Sequence, residues 1–510
     1  MGEYAYYSEW CDQADEIEEN RFLSSDDEDL LKICDRMELK NKGRQKTSGG
    51  LPIHYDKENG YLYVLKEGPH TRVCGESGSK KSRTVCRGGV ISAIANGDSF
   101  ICVDPKGEIS TDKKIQQFAI DHNVDIYVLD FRNFDKDGFN LFGYIADMMG
   151  RGEQQRAMET VDAFVEMLVK SKKTVDDFWN DMGGVLIKSA MNMLLLTLVQ
   201  NKKKLKKAYN IASLRTFICQ DKDSIYGWIN EIVDDMPKDM IYNPFQDYLD
   251  ILENPEKTYA CIISSANAML RDFCTSENLM KMLSVQTFDI KKFYERQSGL
   301  YLVIPDEKNT YDALTGYLLD IMYQMLIEEY TEKYQNKRYA SHGIKYICDE
   351  VASTKINQMA NKISASRSRQ IDWTLIYQSE RQMEDAYPND FATICGNCKH
   401  QIFLGSSDHD ILKNIANQTG TTRISPDGTE VPLVSENDLR RMRKEREYKD
   451  ALVMSGNCLY CAQLPDYDYY DFLTGDRLYQ YKNYVADSEI IIYTPQKLHD
   501  DHRYGRVDFY

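Results

Sequence analysis

The sequence predicts an α/β protein interrupted by an all-α insertion. Short apolar runs bounded by turns and helices follow residue 60 and reappear after residue 298. Between them, from about Tyr144 to Met280, apolar residues fall at helical spacing and strand-like runs are scarce. Strands alternating with crossover helices are the pattern of a parallel sheet, and a long run of helices alone is the pattern of an inserted domain.

Length and composition set the bounds. The 510 residues allow roughly two to four domains at ~150 residues each, with enough core to fold without disulfides or metals. An apolar content of 42% and a charged content of 28% exclude a largely disordered chain. A net charge of −17 argues against non-specific nucleic-acid binding by the whole surface and leaves a local basic patch open. The most apolar stretch, Gly183 to Val199, is broken by Lys188, Ser189 and Asn192, so it is not expected to span a membrane. The N-terminus soon turns acidic and lacks the pattern of a signal peptide, so the thirteen cysteines are expected to be reduced thiols in a cytosolic compartment.

The elements follow in order. Residues 1–50 carry acidic runs and then Lys- and Gly-rich sequence, the composition of a solvated tail with one short helix. Tyr61–Leu65, Thr71–Cys74, Ser99–Val103 and Asp125–Asp130 are apolar enough for buried strands, with helices over Lys81–Ala95 and Lys113–His122. Ala157–Val169, Phe178–Val199, Ile211–Cys219 and Ser224–Val233 fit helices. Gly299–Pro305, Ile344–Cys348, Trp373–Tyr377, Gln401–Leu404 and Ala451–Met454 return to strand character, and Thr421–Lys449 is a polar surface excursion.

Chemistry concentrates at two strand ends. Gly75-Glu76-Ser77-Gly78-Ser79-Lys80-Lys81-Ser82 lies between a strand and a helix and follows the spacing GxxxxGK[ST] of a phosphate-binding loop. Such a loop turns backbone amides inward, uses its Lys on the β/γ-phosphate oxygens and its hydroxyl on Mg²⁺, and gains from the positive helix N-terminus. One position departs, because Lys80 stands where the pattern has Gly. If that residue must be left-handed, Lys80 costs of order 1 kcal/mol. Its ammonium then either swings to solvent or an acidic neighbour, Glu76 being nearest in sequence, or rests on the phosphates and slows turnover. The second strand end is Lys345-Tyr346-Ile347-Cys348-Asp349-Glu350, an apolar strand closing in two carboxylates. Asp349 is placed to hold Mg²⁺ through water and Glu350 to polarise an attacking water.

The chain resembles the TraG-like coupling proteins of type IV secretion and conjugation, relatives of the FtsK/HerA DNA-pumping ATPases. The resemblance is carried by an ordered set: the phosphate loop, Asp104-Pro105-Lys106-Gly107-Glu108, Tyr127 to Asn133, Phe139 to Ile145, Phe178-Trp179, Pro255 to Thr258, Leu302 to Asp306, Ser366-Arg367-Ser368-Arg369, Ile376-Tyr377-Gln378-Ser379, Gly396-Asn397-Cys398 and Phe403-Leu404-Gly405. It covers about Leu51 to Met454.

The resemblance implies a RecA-like P-loop nucleotide-binding domain in two segments, 51–145 and 282–465, an all-α domain at 146–281, and a C-terminal extension, 466–510, to which it does not reach. It implies ATP and Mg²⁺ as cofactors, with Lys81 and Ser82 as phosphate and Mg²⁺ ligands and Asp349 with Glu350 as the carboxylate pair. Gln378 would be the γ-phosphate sensor, and Arg367 and Arg369 are candidates either for an arginine finger on a neighbour's nucleotide or for structural salt bridges. Implied partners are relaxase-bound single-stranded DNA, the secretion channel and further copies in a hexameric ring when ligands are bound, the isolated chain being monomeric. Family members carry membrane helices near the N-terminus. Here the acidic tail stands in their place, so the expectation is a cytoplasmic protein at the inner face of the cell membrane, either naturally soluble or served by a separate membrane partner. Two other readings stay open: a nucleotide-binding adaptor with little hydrolysis because of Lys80, and a DNA translocase unrelated to secretion.

Other signals point less far. Cys395/Cys398 and Cys458/Cys461 are two CxxC pairs, read as buried free thiols rather than a zinc site. Lys170 to Lys173, Lys202 to Lys207 and Arg440 to Arg446 are basic clusters that suit either a solvated face or phosphate contact. The C-terminal tyrosines Tyr467, Tyr469 and Tyr470 suit packing more than base stacking.

Overall fold

The computed structural model describes residues 27–39, 47, 49–66, 68, 70–171, 178–199, 201–236, 242–305, 311–335, 339–423 and 430–506. The chain divides into two units. One comprises the described residues up to Val128 together with Ile290–Gln480, and the other Leu129–Asp289 with the described residues from Tyr481 onward.

The first unit opens with strands β1 (Cys34–Glu38), β2 (Pro52–Asp56) and β3 (Tyr61–Leu65). They form an antiparallel sheet in the order β1-β3-β2. The expected tail over 1–50 does hold one short helix, Asp27–Ile33, but its solvated character is corrected from there on: β1 follows, and Leu30, Ile33, Cys34 and Met37 bury their side chains. Residues 1–26, with the acidic run at 15–19, lie outside the described residues.

The main sheet draws on β4 (Thr71–Cys74), β5 (Ser99–Asp104), β6 (Asp125–Asp130), β7 (Ser298–Val303), β8 (Ile344–Cys348), β9 (Ile371–Tyr377) and β10 (His400–Phe403). After a short hairpin, β11 (Thr421–Arg423) with β12 (Glu430–Pro432), it continues with β13 (Tyr448–Ser455) and β14 (Cys458–Pro465). The order is β14-β13-β10-β4-β9-β8-β5-β7-β6. Strands β10, β4, β9, β8, β5 and β7 run parallel, and β13 and β14 turn antiparallel. The parallel strands are buried over most of their length and apolar at most positions, as burial on both faces favours. Register then aligns their C-terminal ends: Cys74 pairs with Tyr377, Cys348 with Leu375 and Asp104 with Val303. Ligands of open α/β sheets bind beyond that edge.

Two features of this core involve titratable groups. Lys345 is buried between Asp372 and, at 3.6 Å, Asp98. His70 precedes β4 and His400 opens β10, both buried and, first of all by that burial, held near pKa 4. His70 Nδ1 accepts a hydrogen bond from the Trp373 amide at 3.2 Å, a role open only to the unprotonated nitrogen. A histidine whose folded pKa is depressed adds stability that is present above its unfolded pKa near 6.5 and lost as pH falls through the folded value. Stability is therefore expected to drop on acidification between about pH 6.5 and pH 4, by on the order of 3 kcal/mol per histidine. Urea denaturation across that range tests this, and His400→Gln should flatten the slope by about half if each histidine contributes equally.

The second unit is helical. Phe178–Leu198 is its central helix, packed against Gln154–Ser171, Ile211–Ile218, Pro244–Leu252 and Glu256–Leu270. It is the one described helix long and apolar enough to cross a membrane, and most of it is buried in this unit. The division falls after Val128 rather than at residue 146. Gly138 N donates to Thr287 Oγ1 (3.1 Å), Thr287 Oγ1 to Asp137 (2.8 Å) and Asn140 Nδ2 to the Tyr209 carbonyl (3.0 Å), so these residues bond within the helical unit. The C-terminal extension is likewise not separate beyond residue 480. Tyr493 N donates to Ser213 Oγ at 2.9 Å, and Lys204 pairs with Asp501 at 2.7 Å. Lys204 and Lys206, the latter paired with Asp147 at 2.7 Å, are thus engaged within the unit, as is Lys170 with Glu166; Lys172 and Lys173 lie outside the described residues.

Candidate nucleotide site

The phosphate-type loop leaves the end of β4. Gly75 N donates to the Tyr377 carbonyl (3.2 Å) and Glu76 N to the Gly405 carbonyl (3.2 Å), which anchors the loop to the strand ends beside it. A Cβ at Gly75 would stand 2.6 Å from Ser79 Oγ and 2.9 Å from Leu404 Cβ, so the tight closure needs glycine there. Gly78 has φ +77°. The helix that follows starts with one wide π turn, Lys81–Cys86, and continues as Arg87–Asn96.

Lys81 is buried and donates from Nζ to the carbonyls of Gly75 (2.6 Å) and Glu76 (3.0 Å). Ser82 Oγ donates to Asp349 Oδ2 at 3.0 Å, bringing the loop hydroxyl and the carboxylate after β8 together. Asp349 is buried, and its pKa is raised by that burial and by Glu350 beside it, against the opposing hydrogen bond from Ser82. Glu350 is left-handed at φ +51° and accepts a bond from Gln378 Nε2 at 2.8 Å. A non-glycine residue there costs of order 1 kcal/mol, and such strain gathers at functional sites.

These groups border a cleft of about 620 Å³, within the size range of small-ligand sites. Asp104 and Lys444 also line it. Asp104 is buried, its pKa raised by that burial, and accepts from the amides of Ile109 (3.0 Å) and Ser110 (2.9 Å). Lys444 donates to the Gly78 carbonyl at 2.5 Å. It lies in a basic run that the sequence singles out, but nothing in the sequence ties that run to the loop.

Lys80 adopts φ +68°, the left-handed conformation expected of the glycine it replaces. Its ammonium does not reach Glu76, whose carboxylate accepts from Ser407 N (2.8 Å) and Oγ (2.9 Å). It donates instead to Asp466 (2.8 Å) and to the carbonyls of Glu445 (2.5 Å) and Arg446 (3.0 Å). Sequence distance misjudged the partner, because Asp466 reaches the loop only through the fold of the last strands.

Arg367 and Arg369 are not brought to this cleft. They form a 3₁₀ turn before β9, at its N-terminal end, whereas Gln378 follows its C-terminal end. A strand of seven residues at ~3.3 Å each separates them. Among the described residues neither is ion-paired within the chain: Arg367 is exposed, and Arg369 donates to the Ala365 carbonyl at 2.8 Å. The cysteines of both CxxC pairs are free thiols, though of the four only Cys461 is fully buried, and among the described residues no group of three or more His, Cys, Asp or Glu is placed to hold a metal.

A parallel sheet with a glycine-bearing loop on one strand, a hydroxyl–carboxylate contact to a second and an inserted helical unit defines a RecA-like P-loop protein. A family model described as "Type IV secretory system Conjugative DNA transfer" matches residues 26–457. The chain belongs to that family, and its function lies in conjugative DNA transfer through a type IV secretory system.

Solved structures of a bacterial conjugative coupling protein share the fold. TrwBdeltaN70 in a trigonal form with sulphate has a TM-score of 0.54 at 14% identity, covering 87% of this chain and 96% of that one. TrwB with the ATP analogue ADPNP has a TM-score of 0.53 at 15% identity, covering 90% and 97%. TrwB with ADP and Mg²⁺ has a TM-score of 0.52 at 14% identity, covering 88% and 96%. No curated protein matches the sequence.

Proposed function

We propose that the chain is a coupling ATPase that binds Mg·ATP in this cleft and uses its hydrolysis to drive relaxase-bound single-stranded DNA toward the secretion channel. The observation that carries the reading is the Ser82–Asp349 contact, 3.0 Å, in the cleft that Lys81 also lines. The residues fit the ligand in a further respect: Ser79 Oγ is buried within the loop and has no hydrogen-bond partner among the described residues. Solved TrwB structures with ADPNP and with ADP and Mg²⁺ support the same ligand for the fold.

Each residue then has a task. Lys81 would exchange its two loop carbonyls for phosphate oxygens, and Ser77 and Gly78, which line the cleft, would face the polyphosphate. Ser82 and Asp349 would hold Mg²⁺, whose chemistry is to neutralise the charge on the β- and γ-oxygens. Glu350 orients and polarises the attacking water, and Gln378, bonded to Glu350, places that carboxylate against the γ-phosphate. Arg367 and Arg369 lie too far away to act in their own subunit. They would act on a neighbour's nucleotide, which requires a ring.

The adaptor reading rests on Lys80 impeding turnover. The Asp466 contact speaks against it, since the ammonium is already engaged by that carboxylate at 2.8 Å. Steady-state hydrolysis with and without single-stranded DNA separates the two. DNA-stimulated turnover supports the motor, and tight ATP binding with undetectable turnover supports the adaptor.

Assembly is expected to need ligands. A ring of six would carry about −102, so copies repel at low ionic strength. Analytical ultracentrifugation should find monomers in dilute solution and larger species with nucleotide and DNA. A stable hexamer without ligands would contradict this. The place of action proposed is the cytoplasmic face of the cell membrane, with a separate membrane partner.

A further inference from the structure

The segment just after β14 holds a cluster that the reaction described above does not use. Asp466 has a fully buried side chain, and all its neighbours of opposite charge come from the phosphate loop and its helix. Arg83 donates to both of its oxygens, Nε at 2.8 Å and Nη2 at 2.7 Å, and Lys80 Nζ donates at 2.8 Å. These charged hydrogen bonds outweigh burial and keep the carboxyl below the usual carboxylate range. Asp466 N is fixed in turn on the Glu447 carbonyl at 2.7 Å. Next in the chain, the Tyr467 ring lies 4.6 Å from the Arg83 guanidinium and 4.4 Å from that of Arg87. Asp468 takes a second bond from Arg83 at 2.6 Å.

The contacts interlock. Lys80 donates outward to the carbonyls of Glu445 and Arg446, while Lys444 of the same segment donates inward to Gly78. All three ammonium protons of Lys80 are thereby used, although Lys80 lines the cleft. A left-handed lysine in a phosphate loop is costly by itself, and it persists only where surrounding structure determines it.

We propose that Asp466 is a positioning residue for the phosphate loop. Through Lys80 and Arg83 it holds the loop in its ligand-accepting shape, as glycine's freedom does in the common pattern. The proposal rests on the reading that this loop binds a nucleotide.

The test is a double-mutant cycle on the full chain, reading the Kd for a fluorescent Mg·ADP analogue, thermal stability, and amide exchange of residues 75–82 without nucleotide. Asp466→Asn and Lys80→Met should each weaken binding by roughly tenfold, the scale of coupling within one charge network. The double variant should lose no more than either alone. In a Lys80→Gly background, where glycine adopts the left-handed backbone freely, Asp466→Asn should cost under about threefold. Loop exchange should speed up in Asp466→Asn and not in Lys80→Gly. A merely structural aspartate would instead lower stability and affinity equally in both backgrounds, and that result overturns the proposal. So does unchanged affinity in Asp466→Asn when the wild type binds. A wild type that binds no Mg·ADP overturns the nucleotide reading and this proposal with it.

Discussion

Lys81→Ala is expected to abolish hydrolysis and to weaken nucleotide binding by about 100-fold or more. Lys81 is the one buried ammonium in the loop whose present acceptors are loop carbonyls, at 2.6 and 3.0 Å, that phosphate oxygens would replace. A hydrogen bond to a charged group is worth roughly 1.5–3 kcal/mol, and Lys81 would make more than one. The fold should survive, because the loop keeps its anchors to Tyr377 and Gly405 and the helix behind it is untouched. Calorimetric titration with Mg·ADP and a melting curve report the two effects separately. Near-normal binding in a folded variant would mean that the cleft does not hold phosphates through this lysine.

Glu350→Gln is expected to keep ATP bound and to slow its cleavage by about 10²–10⁴-fold, the span of general-base contributions. The substitution preserves size, and the amide oxygen can still accept from Gln378 Nε2, so the local geometry is retained. The variant loses only the capacity to polarise water by taking up positive charge. Single-turnover hydrolysis after preloading with ATP is the decisive measurement. A rate within threefold of wild type would move the base elsewhere, and Asp104, buried at the same cleft, would be the next residue to test.

The legible part of the site was local. Gly75 to Ser82 can be recognised because the loop's chemistry is set by contiguous backbone, a lysine and a hydroxyl at set spacing. Asp349 and Glu350 can be recognised because they close the apolar run Tyr346-Ile347-Cys348 with two adjacent carboxylates. The left-handed backbone of Lys80 also follows from position alone. The partner of Lys80 did not. Glu76 is four residues away and Asp466 is far along the chain, yet the antiparallel pair β13–β14 carries Asp466 back to the loop. Lys444, in the segment just before β13, likewise meets Gly78 only through the fold. Of the small β1-β3-β2 sheet, β3 was legible at Tyr61–Leu65, whereas β1 was missed because acidic composition masked the buried Cys34 and Met37.

By itself, then, the sequence determined the class of fold, the all-α insertion, the phosphate loop and its carboxylate pair, since periodicity and short spacing are local quantities. The tertiary structure alone decided which charges meet. It put Ser82 on Asp349, Gln378 on Glu350 and Lys80 on Asp466, and it kept Arg367 and Arg369 at the opposite end of β9. The physical reason is strand register. Pairing Cys74 with Tyr377 and Cys348 with Leu375 aligns the ends of strands hundreds of residues apart, and a charge several ångströms away in space leaves no trace in the spacing of the chain.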